Sequence, residues 1–223
     1  MTFDDYKKHF EVFSKIDTAE KLAICERQYK QHLLALEDEK HFEPVVEISN
    51  GDTISLYNDN LRLTLGLAQL TETQVSFLTI PSFEPESLLI IDDCQDKFVL
   101  RHTVLASNYW QAFCADNRIT AVDKITSTTE LNQEIGSKIC NLFYRVISDA
   151  SPAKSGRFVL DGVRYFLSCV TDGKVMTVSK HSPNETSKPA KVIEILELLT
   201  DNIKSVDDNT LKAIKTKIDD IDK

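Results

Sequence analysis

Two Asp-Gly pairs, Asp161-Gly162 and Asp172-Gly173, constrain this chain more than any other feature. Asp-Gly suits tight hairpin turns with positive φ, whose twist matches that of the flanking strands. The runs around them, Arg157–Leu160, Val163–Val170 and Val175–Lys180, are rich in residues that favour a pleated backbone. The spacing predicts a three-stranded antiparallel meander. Next come a loop at His181–Glu185 and Pro189, which fits the first turn of a helix. That helix places Val192, Ile193, Leu196, Leu199 and Ile203 on one face. A shorter one, over about 208–221, does the same with Leu211, Ile214, Ile218 and Ile221.

The first 40 residues read as two helices. Phe3, Tyr6, Phe10 and Phe13 form one stripe, and Leu22, Cys25, Tyr29, Leu33 and Leu36 form another, with a break at Asp17-Thr18. Stripes of this period are expected to pack as core. The central region changes period. Val46, Ile48, Ile54 and Leu56 flank Asn50-Gly51, which predicts a hairpin, and Leu61, Leu63, Leu65 and Leu67 alternate as a half-buried strand would. Val75–Ile80 reads as a strand ended by Pro81. Leu88–Ile91 and Phe98–Leu105 form a further pair around the turn Asp92–Asp96.

These links are too short for parallel crossovers, so the sheet is expected to be mainly antiparallel. Ser127-Thr128-Thr129-Glu130 has capping-box spacing and predicts a helix over about 128–148, with Leu131, Ile135, Ile139, Leu142, Val146 and Ile147 as its apolar face. Ser151–Gly156 reads as a linker. The expected fold is α+β. Residues 1–150 hold a helical hairpin, an antiparallel sheet and a helix; residues 151–223 hold the meander and two helices. The two parts pack together as one unit.

Composition, 42% hydrophobic and 27% charged, suits a folded chain. The acidic start Met1-Thr2-Phe3-Asp4-Asp5 lacks the basic and apolar regions of a secretory signal. No run approaches the roughly 18–20 apolar residues of a membrane span. A soluble cytoplasmic protein is the expectation. The five cysteines have neither zinc-ligand spacing nor an even count. Cys25, Cys140 and Cys169 fall in apolar patterns and are expected to be buried thiols.

Signatures of common chemistries are missing. There is no glycine-rich phosphate loop, HExxH, CxxC or GxSxG. Asp92-Asp93-Cys94-Gln95-Asp96 matches the DDxxD string that holds Mg²⁺ and diphosphate on a helix, but its apolar flanks predict a hairpin turn. No catalytic residue, metal ligand or cofactor is assigned.

Charge is the remaining signal. The chain carries 26 Lys and Arg against 35 Asp and Glu, a net −9, and residues 41–153 alone hold 7 basic and 15 acidic side chains. From Leu63 to Asp96 there is no Lys or Arg. Glu72, Glu84, Glu86, Asp92, Asp93 and Asp96 lie in that stretch and are the candidate partner-binding residues. Such a field repels nucleic acid and draws in cationic proteins. The meander and following helix (Val159-Leu160-Asp161-Gly162, Tyr165-Phe166, His181-Ser182-Pro183) resemble a carboxy-terminal module of small bacterial proteins.

The expected function is a non-enzymatic protein-binding protein. Its expected form is an immunity-type inhibitor that neutralises a basic toxin or enzyme through an acidic face. The alternatives are a metal-assisted hydrolase using Asp92, Asp93 and Asp96, or a structural or regulatory subunit docking through a helical stripe. Neither nucleic acid nor a membrane is an expected partner, and the sequence does not set the oligomeric state.

Overall fold

In the computed structural model, which describes residues 1–45, 53–116, 122–156 and 161–221, the chain opens with the helices α1 (Phe3–Phe13) and α2 (Ala19–Asp38). Both starts are encoded locally. Thr2 and Asp5 form a capping box, and the Thr18 hydroxyl accepts the Lys21 N–H at 3.3 Å. The aromatic stripe joins the two helices: Phe3 and Tyr6 pack on Tyr29 with ring centroids 5.2 and 5.4 Å apart. The stripe stays peripheral, though. Cys25 is the one buried side chain among those described in this pair, and Leu33 and Leu36 remain exposed.

The remaining elements are β1 (Glu43–Pro44), α3 (Thr53–Leu65), β2 (Gln74–Pro81), β3 (Ser87–Asp93), β4 (Phe98–Leu105), α4 (Tyr109–Asp116), β5 (Lys124–Leu131), α5 (Gln133–Ser148), β6 (Val163–Thr171), β7 (Lys174–His181), α6 (Lys188–Asp201) and α7 (Asp208–Ile221). The strands form one sheet in the order β1-β7-β6-β2-β3-β4-β5, every pair antiparallel. The fold is α+β, as the sequence indicates. β6 has β7 on one side and β2 on the other, with Phe77 opposite Leu167. The carboxy-terminal hairpin therefore belongs to the central sheet. Its Asp172-Gly173 turn has φ of 52° and 70°, the geometry that makes Asp-Gly suitable there. Arg157–Leu160 and the Val46, Ile48 and Asn50-Gly51 positions lie outside the described residues.

Successive strand residues face opposite sides, so strands covered on both faces read as unbroken apolar runs. Val75, Phe77, Leu89, Ile91, Phe98 and Leu100 face α5, α6 and α7. Leu78, Leu88, Ile90 and Leu105 face α3 and α4. Where α5 crosses β4 the fit is close, since a Cβ on Gly136 would stand 2.0 Å from the Phe98 ring.

Two sequence expectations are corrected. Ile54, Leu56 and the alternating leucines from Leu61 onward belong to helix α3 up to Leu65, not to strands. Tyr57, Leu61 and Leu65, four residues apart, are buried, whereas Leu63 is 58% exposed. The alternation was a by-product of leucines on both sides of a helix. Gly66, at φ 93°, ends it. Residues 124–131 form strand β5, and α5 starts at Gln133 with Asn132 as its cap. The Thr-rich segment satisfies its backbone against β4, and the Glu130 carboxylate pairs with Lys97 across that ladder instead of capping a helix. Among the described residues, no helix is long and apolar enough to cross a membrane.

Candidate functional site

The β2–β3 hairpin divides the acidic stretch. Antiparallel strands bring Gln74 opposite Asp92, so Glu72, Asp92, Asp93 and Asp96 gather at one end of the sheet. Glu84 and Glu86 lie beyond the other end of the same strands, roughly 24 Å away at about 3.4 Å per residue. A run that is continuous in sequence becomes two separate places.

At the first end, Glu72, Asp93 and Asp96 are exposed and Asp92 is half-buried. Asp92 is held by its neighbours: the Thr73 hydroxyl donates to Oδ1 at 2.9 Å and the Gln74 amide to Oδ2 at 2.8 Å. Asp93 Oδ1 accepts the Gln95 N–H at 3.0 Å, which steadies a turn in which Gln95 takes φ 72°. The Gln133 side chain donates to the Gln95 carbonyl and ties this turn to the start of α5. The DDxxD string is thus a hairpin turn, with Asp92 and Asp93 pointing to opposite faces of a strand. Among the described residues, no group of three or more His, Cys, Asp or Glu side chains could hold a metal ion.

Three exposed apolar groups stand at the same end. Tyr144 on α5 is 38% exposed. Burial pushes its phenol above the usual range, and Cys169, Cys140, Asp93 and Glu72 act in the same direction. Met176 is 46% exposed and shares a cross-strand row with Cys169 and Val75, and Val175 precedes it. Asp172 in the β6–β7 turn adds a further exposed carboxylate. This end of the sheet therefore carries an acidic rim together with an exposed tyrosine and methionine, side chains enriched in the cores of protein interfaces. Tyr144 and Met176 escaped the sequence reasoning because the packing of α5 and the pairing of β7 place them there, from positions some 50 and 80 residues beyond the acidic stretch.

At the other end only Glu84 is accessible. Glu86 is corrected from a surface residue to a fully buried one, at 0% exposure. Its carboxylate accepts the Tyr57 hydroxyl at 2.8 Å and the backbone N–H groups of Tyr109 and Trp110 at 2.7 and 3.2 Å. It thereby satisfies the amino terminus of α4 and fixes that helix to α3. A negative charge here anchors the fold; it has no access to a partner.

A polar cleft of about 290 Å³ opens between α2 and the β7 edge. Lys180, 4% exposed, donates to the Asp38 carbonyl at 2.6 Å and to Glu43 Oε1 at 3.2 Å. Asp38 accepts the N–H groups of Lys154 and Ser155 at 2.9 and 2.8 Å. These bonds tie the helical pair to the sheet and leave Lys180, Asp38 and Glu43 committed to one another. Of the thiols expected in the core, Cys25 and Cys169 are buried and Cys140 is half-buried; Cys94 and Cys114 are exposed. The chain matches no protein-family model, no curated protein and no solved structure.

Proposed function

We propose that this protein binds a basic protein partner through the acidic rim of its sheet, and acts as a stoichiometric inhibitor by covering that partner's cationic surface. The observation that supports this most is that exposed Glu72, Asp93 and Asp96 lie at the same end of the sheet as exposed Tyr144 and Met176. Carboxylates steer a cationic partner and set its register, whereas a half-exposed tyrosine and methionine offer the apolar contact that slows dissociation. Glu84 lies too far away to share the interface, and Glu86 is inaccessible.

The test is recovery of a partner from native lysate on immobilised protein, at about 50 mM and about 500 mM salt, where screening differs severalfold. Wild type should retain a basic protein at low salt and lose most of it at high salt. The triple reversal Glu72→Lys, Asp93→Lys, Asp96→Lys and the truncation Tyr144→Ala should each cut retention at least tenfold, about 1.4 kcal/mol. Glu84→Lys should leave it unchanged. Equal loss from Glu84→Lys and the rim reversal, or retention indifferent to salt, refutes the assignment.

A further inference from the structure

The two edges of the sheet are built differently. β1 has two residues and includes Pro44, which has no N–H to donate to a further strand. Short strands and proline are common ways of blunting an edge. β5, at the far edge, has eight residues, and its interior, Ile125-Thr126-Ser127-Thr128-Thr129, has no charge, no proline and mostly β-branched side chains. It pairs with β4 along its length, and among the described residues no strand lies on its outer side. Ile125 is 65% exposed. Such an edge is a template for another strand.

The sequence of β5 is complementary to itself. Lys124 and Glu130 are its two charged residues, each three positions from Ser127. Antiparallel pairing centred on Ser127 sets Lys124 of each copy opposite Glu130 of the other. It also sets Ile125 opposite Thr129 and Thr126 opposite Thr128. Odd positions meet odd and even meet even, so each face of one sheet continues into the matching face of the other.

The net charge of −9 does not oppose this pairing. Phe98, just after the acidic β3–β4 turn, opposes Leu131, so the rim lies at the Leu131 end of β5. Antiparallel pairing sends the two rims to opposite ends of the joint, farther apart than the Debye length of about 8 Å at physiological salt. We propose that a second copy of this chain adds antiparallel to β5 and forms a two-fold symmetric dimer with one continuous sheet. Both rims stay exposed, so the dimer stands or falls independently of partner docking.

The test is sedimentation equilibrium of the full chain between about 1 and 200 µM, the range suited to a single strand-pair joint. The expected mass rises from 25.3 kDa towards twice that value. Lys124→Glu alone and Glu130→Lys alone should weaken dimerisation at least tenfold, and the double reversal should recover to within about threefold of wild type. Circular dichroism melts establish that each variant folds. Ile125→Lys, at a side chain that is already exposed, guards the edge without touching the core and should give a monomer. A monomer at every concentration, a dimer indifferent to the single reversals and to Ile125→Lys, or a double reversal no tighter than the singles overturns the proposal.

Discussion

Glu86→Gln is the sharpest test of how this fold is held together. The carboxylate is fully buried and accepts three hydrogen bonds, from the Tyr57 hydroxyl and from the Tyr109 and Trp110 N–H groups. Glutamine has nearly the same shape but one acceptor oxygen instead of two, and its NH₂ must then face at least one of these donors. A buried donor left without a partner costs about 1–3 kcal/mol. Loss of the negative charge at the α4 amino terminus adds about 0.3–2 kcal/mol. Relief of the cost of burying a charge offsets part of this. The expected net loss is about 2–4 kcal/mol, a fall in Tm of roughly 4–16 °C for a chain of this size. Urea unfolding followed by circular dichroism measures it. Tyr57→Phe, which removes one donor, should cost about 1–2 kcal/mol, and the double variant should cost less than the two singles added together because both act on one bond. A Glu86→Gln variant within about 0.5 kcal/mol of wild type, the range of an ordinary surface substitution, refutes the reasoning.

Gly136→Ala should destabilise despite the better helix propensity of alanine, about 1 kcal/mol, because the added methyl meets the buried Phe98 ring at 2.0 Å. The expected net cost is about 1–3 kcal/mol in urea unfolding, and a stabilised variant would show that α5 is free to shift. Thiol titration of the native protein should find Cys94 and Cys114 fast. Cys140, whose thiol burial pushes up to about 12, should react slowly at pH 8, and the buried Cys25 and Cys169 only on unfolding. His102 yields a pH prediction. Burial lowers its pKa below 6.5, so the unfolded chain binds more protons, and its contribution is complete above that pH and declines as pH falls. The urea midpoint of His102→Leu should therefore fall less between pH 7 and pH 5 than that of wild type; parallel pH profiles would count against it. Asp38 acts lower on the scale. Burial pushes its carboxyl up, but hydrogen bonds from Ser155 and Lys154 outweigh this and hold it below 3.8. Its contribution is present above that value and lost as pH drops further, so Asp38→Asn should flatten the acid limb of the stability profile.

Features with a local cause were legible in the sequence. The Asp172-Gly173 turn, the Pro81 end of β2, the break at Asp17-Thr18 and the buried faces of α6 and α7 depend on residues a few positions apart, and each stands as read. The errors lie where one local pattern serves two structures. The leucines from Leu61 onward satisfy an alternating strand, yet Tyr57, Leu61 and Leu65 also share a helical face, and the apolar surface of Leu78, Leu88 and Ile90 selects the helix. Ser127–Glu130 reads as a helix cap, but the free edge of β4 offers a full ladder of hydrogen bonds and claims the segment as β5.

The charge map divides along the same line. Composition determined that residues 63–96 carry acid and no base. Only strand pairing and helix packing decided that Glu72, Asp92, Asp93 and Asp96 would share one end of the sheet with Tyr144, that Glu84 would lie at the other end, and that Glu86 would be buried. Periodicity and turn chemistry act over a few residues and are written in the chain. The side of an antiparallel hairpin on which a charge emerges depends on register, and register is fixed by packing among segments far apart in sequence.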